Sequence, residues 1–194
     1  MLIPSETIFI DSGRAYHVFY TWTQRVSARP RVAPLAEAVE CDIVVLPNIA
    51  TRFEPRELDL IRGYVESGGR LLVLHGNGSD DTAANEVLGM FGLSVEDRRD
   101  VYLMNLKGGL IPRPVASYSV TGGTPLVYDN LGRPAAAVAD VGTAGGRVMV
   151  FAASSLFSDA VMGTTSTIPD EVIRSIYDLE FHLINIGMEG RRSP

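Results

Sequence analysis

Cysteine is nearly absent from this chain. A single thiol, Cys41, among 194 residues excludes an intrachain disulfide framework and any zinc site built on several cysteines. Histidine is scarce too: His17, His75 and His182 stand far apart, without the spacing of a metal-binding HExxH helix. Lysine is scarcer still, since of the 17 basic side chains only Lys107 is not arginine. Acidic groups outnumber basic ones, giving a net charge of −6 and a pI near 5.1, so general nucleic-acid binding has no electrostatic support. No apolar run approaches the roughly 18 residues needed to cross a bilayer. The opening Met-Leu-Ile-Pro-Ser-Glu lacks the basic-then-apolar pattern of a secretory signal. These absences lead us to expect a cytoplasmic chain with no membrane span, metal or other cofactor.

What is present reads as an ordinary globular domain: 46% hydrophobic and 21% charged residues. A chain of this length buries roughly 70% of its unfolded surface, enough for a self-sufficient core. The expected organisation is one domain over residues 1–190 with a short tail at 191–194. "TIFI" at 7–10 reads as a first buried strand, followed by a helix over 16–26 that "SARPR" stops. A short helical turn near 35–40 leads into "IVVL" at 43–46, a β-branched run suited to a parallel strand buried on both faces. "EPRELDLIRGYVESGG" carries helix signals at both ends: Pro55 at the first helical position, Glu54 and Glu57 beside the positive dipole end, and Gly68-Gly69 as the stop. "RLLVLH" is a second buried strand, and Asp80 or Asp81 caps the next helix. Strand–helix alternation through residue 92 predicts a doubly wound, mainly parallel α/β sheet.

From 94 to 132 the pattern loosens into a β-rich extension, with strands expected at "VYLMNL", "VASYSV" and "PLVYD". A hairpin over 135–152 and an amphipathic helix over 169–187 complete the chain. The helix carries a stripe of Val172, Ile176, Leu179 and Leu183, with Ile173, Tyr177 and Ile184 beside it.

Ligands of open α/β sheets sit beyond the carboxyl ends of the strands. The residues placed there are Asp11, Ser12, Asn48, His75, Asn77, Ser79, Ser154 and Ser155. The turn "HGNGS" has two readings. Its amides and the following helix N-terminus could hold an anion, with His75 or Ser79 as a binding or catalytic group. Alternatively, its glycines serve only a tight strand-to-helix turn. No Gly-Lys-Ser/Thr follows, so a phosphate loop of that type is excluded. His75 as general base, Asp11 orienting it and Ser79 as nucleophile would make a Ser–His–Asp arrangement. Ser154 and Ser155 are further candidates for the nucleophile. Against this stands the ordinary use of serine at caps and turns, and of histidine as a hydrogen-bonded structural residue. Asp159 is expected to cap or close a local turn.

Several segments together resemble the class I glutamine amidotransferase-like superfamily: "FIDSGRAYH", "CDIVVLPN", "EPRELDLIRGYVESGGRLLVL" and "GRVMVFAASSLFSDAVMG". The likeness is to its non-amidotransferase branch, which includes the trehalose-utilisation protein, an auxiliary subunit of gliding-motility ABC transporters and a domain of an intraflagellar-transport subunit. The resemblance implies a flavodoxin-like three-layer sandwich. It also implies where amidotransferase chemistry would sit: a cysteine elbow after the strand matched by "RLLVLH", and a His and a Glu after the one matched by "RVMVFAA". Here Gly76 or Asn77 stands at the elbow, and "SSLFSD" supplies neither partner. The expectation is a catalytically silent module that binds a small molecule or a partner protein, with homo-oligomerisation compatible with either. The alternative is a hydrolase or sugar-processing enzyme using His75, Asp11 and Ser79. A third reading is a purely structural subunit.

Overall fold

The computed structural model describes residues 5–9, 16–24, 28–164 and 166–189. Asp11 and Ser12 lie outside the described residues, as does the tail at 191–194. The chain begins with β1 (Ser5–Phe9), α1 (His17–Thr23), β2 (Ala28–Val32), α2 (Leu35–Ala38) and β3 (Ile43–Pro47). It continues through α3 (Pro55–Glu66), β4 (Arg70–Leu74), α4 (Asp81–Gly89), β5 (Ser94–Val101) and β6 (Val115–Thr121). The last part holds β7 (Thr124–Tyr128), β8 (Pro134–Val141), β9 (Gly146–Phe151), α5 (Asp159–Met162) and α6 (Glu171–Met188).

The main sheet has seven strands in the order β2-β1-β3-β4-β9-β8-β7. The first five run parallel, and β8 and β7 add on antiparallel. This is the expected α/β sandwich. Its parallel part follows the 2-1-3-4-5 pattern, with the strand order reversing between β1 and β3. The apolar runs of β3 and β4 feed two cores at once. Ile43, Val45, Leu72 and Leu74 pack with α1 and α6; Val44, Leu46, Leu71 and Val73 pack with α2, α3 and α4. A strand with a helix layer on each face needs no polar side, which explains the unbroken hydrophobicity.

The α3-to-β4 connection is pinned by one side chain. Tyr64 Oη accepts the Arg70 amide at 3.0 Å and donates to the Arg70 carbonyl at 2.9 Å. Gly68 makes the turn at φ 105°, and Gly69 lies flat under the Tyr64 ring, where a Cβ would collide with it. Two glycines are therefore required for different reasons, one for conformation and one for space.

Three expectations need correction. "ARPRV" is not merely a helix stop but the parallel edge strand β2, with Arg29 and Arg31 exposed and Pro30 buried. Proline is tolerated there because an edge strand has one unpaired side. The strand expected at 101–106 lies instead at β5, whose five central side chains are all exposed, while Leu103 and Met104 form only isolated bridges. Finally, the β-rich extension divides in two. β5 and β6 form a separate antiparallel pair with a bulge at Asp97 (φ 51°), and β7 joins the main sheet as its far edge.

α6 begins at an Asp170 cap that accepts the Ile173 amide at 2.8 Å. Ile176, Leu179, Leu183 and Ile184 are buried as expected, but so is Glu180, at 0% exposure.

Candidate functional site

The carboxyl ends of β3, β4 and β9 are stitched together by backbone hydrogen bonds continuing past the strands. Asn48 N–H donates to Leu74 O (2.7 Å), His75 N–H to Phe151 O (2.9 Å), Ser154 N–H to His75 O (2.9 Å), and Asp80 N–H to Ile49 O (2.7 Å). The three turns therefore form one rigid platform. It brings together Asn48, Ser79 and Ser154, three of the residues placed there from the sequence.

Asn48 is the hub. Its backbone is left-handed (φ 46°), a conformation asparagine tolerates better than most residues, though at some cost. Its side-chain oxygen accepts from Ser154 Oγ at 2.7 Å and from Ser79 Oγ at 3.3 Å. Ser79 Oγ in turn accepts the Gly76 amide at 3.1 Å, while Ser79 N–H returns to the Gly76 carbonyl at 3.0 Å. Tyr16, just before α1, brings a buried phenol into the same cluster. Burial raises its pKa, partly offset by hydrogen bonds with Ser154 and Asn48. Each hydroxyl is thus committed within the cluster.

Gly76 shows how tightly the platform is closed. A Cβ on Gly76 would run into Ser154 Oγ and come within 3.1 Å of the Ser154 amide. The turn's positive φ falls at Gly78 (90°), and neither Gly76 nor Asn77 adopts one. A nucleophile elbow needs a sharp, strained turn that lifts the reactive side chain out of the sheet. Here the candidate elbow position is buried and sealed, and Asn77 points outward, accepting from Arg98 Nη2 at 3.3 Å.

His75 is fully buried. Its Nε2 lies 3.1 Å from Asp81 Oδ1, at the start of α4, and its ring packs edge-on to Tyr118 at 4.4 Å between centroids. Burial holds the imidazole pKa below the usual 6.5, against the charge and hydrogen bond of Asp81. A carboxylate can only accept, so the neutral ring carries its proton on Nε2. The other nitrogen, Nδ1, is a buried acceptor with no partner among the described residues. Tyr118 has its phenol pKa raised by burial and by the Asp81 charge, with Arg98 opposing. Asp80 caps α4 through the Ala83 amide at 2.8 Å.

The remaining candidates sit apart from this cluster. Ser155 lies in the 3-10 turn Ser154–Phe157, where its carbonyl accepts from Ser158 Oγ at 2.7 Å. Asp159 opens the short helix α5, where its carbonyl accepts the Gly163 amide at 2.9 Å, and its side chain reaches across the fold to accept the Val18 amide in α1 at 2.7 Å. Cys41 is buried. Sequence reasoning missed Asp81 as the partner of His75, and Tyr16 and Tyr118 as cluster members. A carboxylate in the first turn after "HGNGS" signals the first; nothing local signals the tyrosines.

With this geometry in place, the comparisons with known proteins can be weighed. No protein-family model matches the chain, and no curated protein matches it in sequence. In fold it is similar to the mmIFT52 N-terminal domain from end to end. That match has a TM-score of 0.69 and 16% identity, covering 98% of this chain and 100% of the other. The cytoplasmic protein STM3548 from Salmonella typhimurium is similar at a TM-score of 0.60 and 11% identity, over 92% of this chain and 98% of that one. α-L-Fucosidase isoenzyme 2 from Paenibacillus thiaminolyticus also contains such a fold, at a TM-score of 0.59 and 12% identity. This chain spans only about a third of the fucosidase, covering 33% of it. At these identities the likenesses show the fold alone. No helix among the described residues is long and apolar enough to cross a membrane.

Proposed function

We propose that this chain is a catalytically silent module of the class I glutamine amidotransferase-like kind, whose work is to bind a partner rather than transform a substrate. One observation carries the reading. The Ser79 and Ser154 hydroxyls both donate to Asn48, and His75 Nε2 is committed to Asp81, so among the described residues no hydrogen bond joins either serine to a base. The amidotransferase-like assignment rests on the resemblance of the segments around the strand ends. End-to-end likeness in fold to the mmIFT52 N-terminal domain supports a module that stands as a domain in its own right.

The geometry weighs against the hydrolase alternative. A working base presents its imidazole toward substrate, backed by a buried carboxylate. Here the order is reversed: His75 is buried, and the Asp81 side chain is 55% exposed. The pair fastens α4 to the end of β4.

Turnover of glutamine, p-nitrophenyl esters and p-nitrophenyl glycosides by the wild type and by His75→Gln tests the proposal. Both proteins are expected to match the uncatalysed background. Wild-type turnover that His75→Gln abolishes would overturn it.

A further inference from the structure

Among the described residues, five of the eight large hydrophobic residues that stand exposed fall in one stretch of the chain: Tyr102, Leu106, Leu110, Tyr128 and Leu131. Backbone contacts draw them into one region. Met104 N–H donates to Tyr128 O (2.9 Å), Asn130 N–H to Tyr102 O (2.8 Å), and Met104 bridges to Leu110. Two of the five, Leu106 and Tyr128, line a groove of about 630 Å³ together with Met104, Leu126 and, from α6, His182. Apolar exposure gathered around a groove is a feature of interaction surfaces.

β7 forms one wall. It is the terminal strand of the main sheet and pairs only with β8. The loop at 102–104 covers just its Tyr128 end, so residues 124–127 have no strand beside them among the described residues. Such an edge is a template for an added strand. Pro125 and the two irregularities in the β7–β8 register restrict how long that strand can be.

Charge narrows the occupant. The groove's one carboxylate, Asp129, is 3% exposed and internally spent. Oδ1 accepts the Leu131 and Arg133 amides at 2.8 and 2.9 Å, and Oδ2 accepts Arg133 Nε at 2.8 Å. Lys107, exposed between the lining residues Leu106 and Gly108, is in no ion pair among the described residues. The groove therefore offers apolar walls, a free strand edge and the His182 imidazole, with the Lys107 ammonium exposed at its rim between two lining residues. A second copy would bring another Lys107 and no free groove carboxylate.

We infer that this groove receives a short extended peptide of a partner protein, apolar in alternation and carrying acidic side chains, which pairs along β7 with a carboxylate against Lys107. The inference rests on the binding-module reading and gives it a surface.

An array of peptides of about eight residues, varied in apolar alternation and charge, probed with the labelled full chain, tests it. Retention should concentrate on peptides combining alternating apolar residues with Asp or Glu. Lys107→Glu should shift that preference about tenfold toward basic peptides, and Leu106→Asp should abolish retention. Both positions are exposed, so neither change threatens the fold. Three results would overturn the inference: no retention of acidic apolar peptides, retention indifferent to charge in wild type and Lys107→Glu alike, or self-association that Leu106→Asp abolishes. The last would assign the groove to a second copy. A blank array beside a blank turnover assay removes this surface and leaves the silent-module reading standing.

Discussion

Replacing Gly76 with cysteine, at one of the two positions where the proposed resemblance would put a nucleophile, is expected to destabilise the protein by about 2–3 kcal/mol without yielding a reactive thiol. The new Cβ would occupy the space of Ser154 Oγ. Ser154 would have to rotate, giving up its 2.7 Å bond to Asn48 in a site where its own exposure is 0%. A buried hydroxyl losing its acceptor and an overpacked turn each cost about 1–3 kcal/mol, and the two overlap here. In a chain of this size the loss reads as a Tm drop of about 4–10 °C. The buried thiol would stay protonated and inert. Asn77→Cys, one position on and exposed, should change stability by less than about 0.5 kcal/mol. Ser154→Gly should relieve much of the Gly76→Cys penalty, because it removes the atoms the new side chain meets. Equal penalties at 76 and 77, or no relief from Ser154→Gly, would show that the two turns are not packed as described.

A second large effect is expected at Glu180. Its carboxyl is fully buried in α6, facing Thr23 of α1; Oε1 lies 3.3 Å from Thr23 Oγ1, and Oε2 has no partner among the described residues. Burial raises its pKa well above 4.5, and the Thr23 contact only partly opposes this. Thr23 also donates to the Phe19 carbonyl at 2.8 Å, so its one hydroxyl proton is divided between two acceptors and does little to support a charged carboxylate. The folded chain thus holds a proton that the unfolded chain releases near pH 4.5. The sign follows from linkage: stability falls as pH rises above 4.5 and levels off beyond the folded pKa. Glu180→Gln keeps the shape and a donor but cannot ionise. It should raise Tm at pH 8 by about 3–6 °C and lose that advantage below pH 4.5. Thermal melts of both proteins across pH check this; a Glu180→Gln penalty that is the same at every pH would contradict it.

Much of the fold could be read locally, and what could not follows a physical pattern. β3, β4 and α3 announce themselves because burial on both faces and helix-end chemistry leave local marks: the run at 43–46, Pro55, and Gly68-Gly69. β2 and β5 do not, because an edge or solvent-facing strand has no need of an apolar run, and "ARPRV" and "SVEDRRDV" show none. Glu180 was legible in principle, since it stands four residues after Ile176 and four before Ile184, on the buried stripe. The site divides in the same way. The rule that ligand sites lie at strand ends brought Asn48, Ser79 and Ser154 to one place. It could not say that their hydroxyls would be spent on one another, because that depends on how closely β3, β4 and β9 end together. Nor could spacing reveal that Asp159 would hold the Val18 amide 141 residues away.

The central claim, that the strand-end cluster is a closed structural lock rather than a working site, rests most directly on His75. Long-range nitrogen–proton NMR of the imidazoles across pH reads both its tautomer and its titration, with the exposed His17 as an internal comparison. The account predicts a neutral Nε2–H ring whose titration falls below pH 6.5, where an ordinary histidine is half protonated. It also predicts that the contribution of His75 to stability, read as the difference from His75→Gln, declines as the pH falls below that point, because the unfolded chain takes up a proton the folded ring resists. A His75 ring that titrates near 6.5, or carries its proton on Nδ1 in the neutral form, would contradict the lock and reopen the case for a catalytic base.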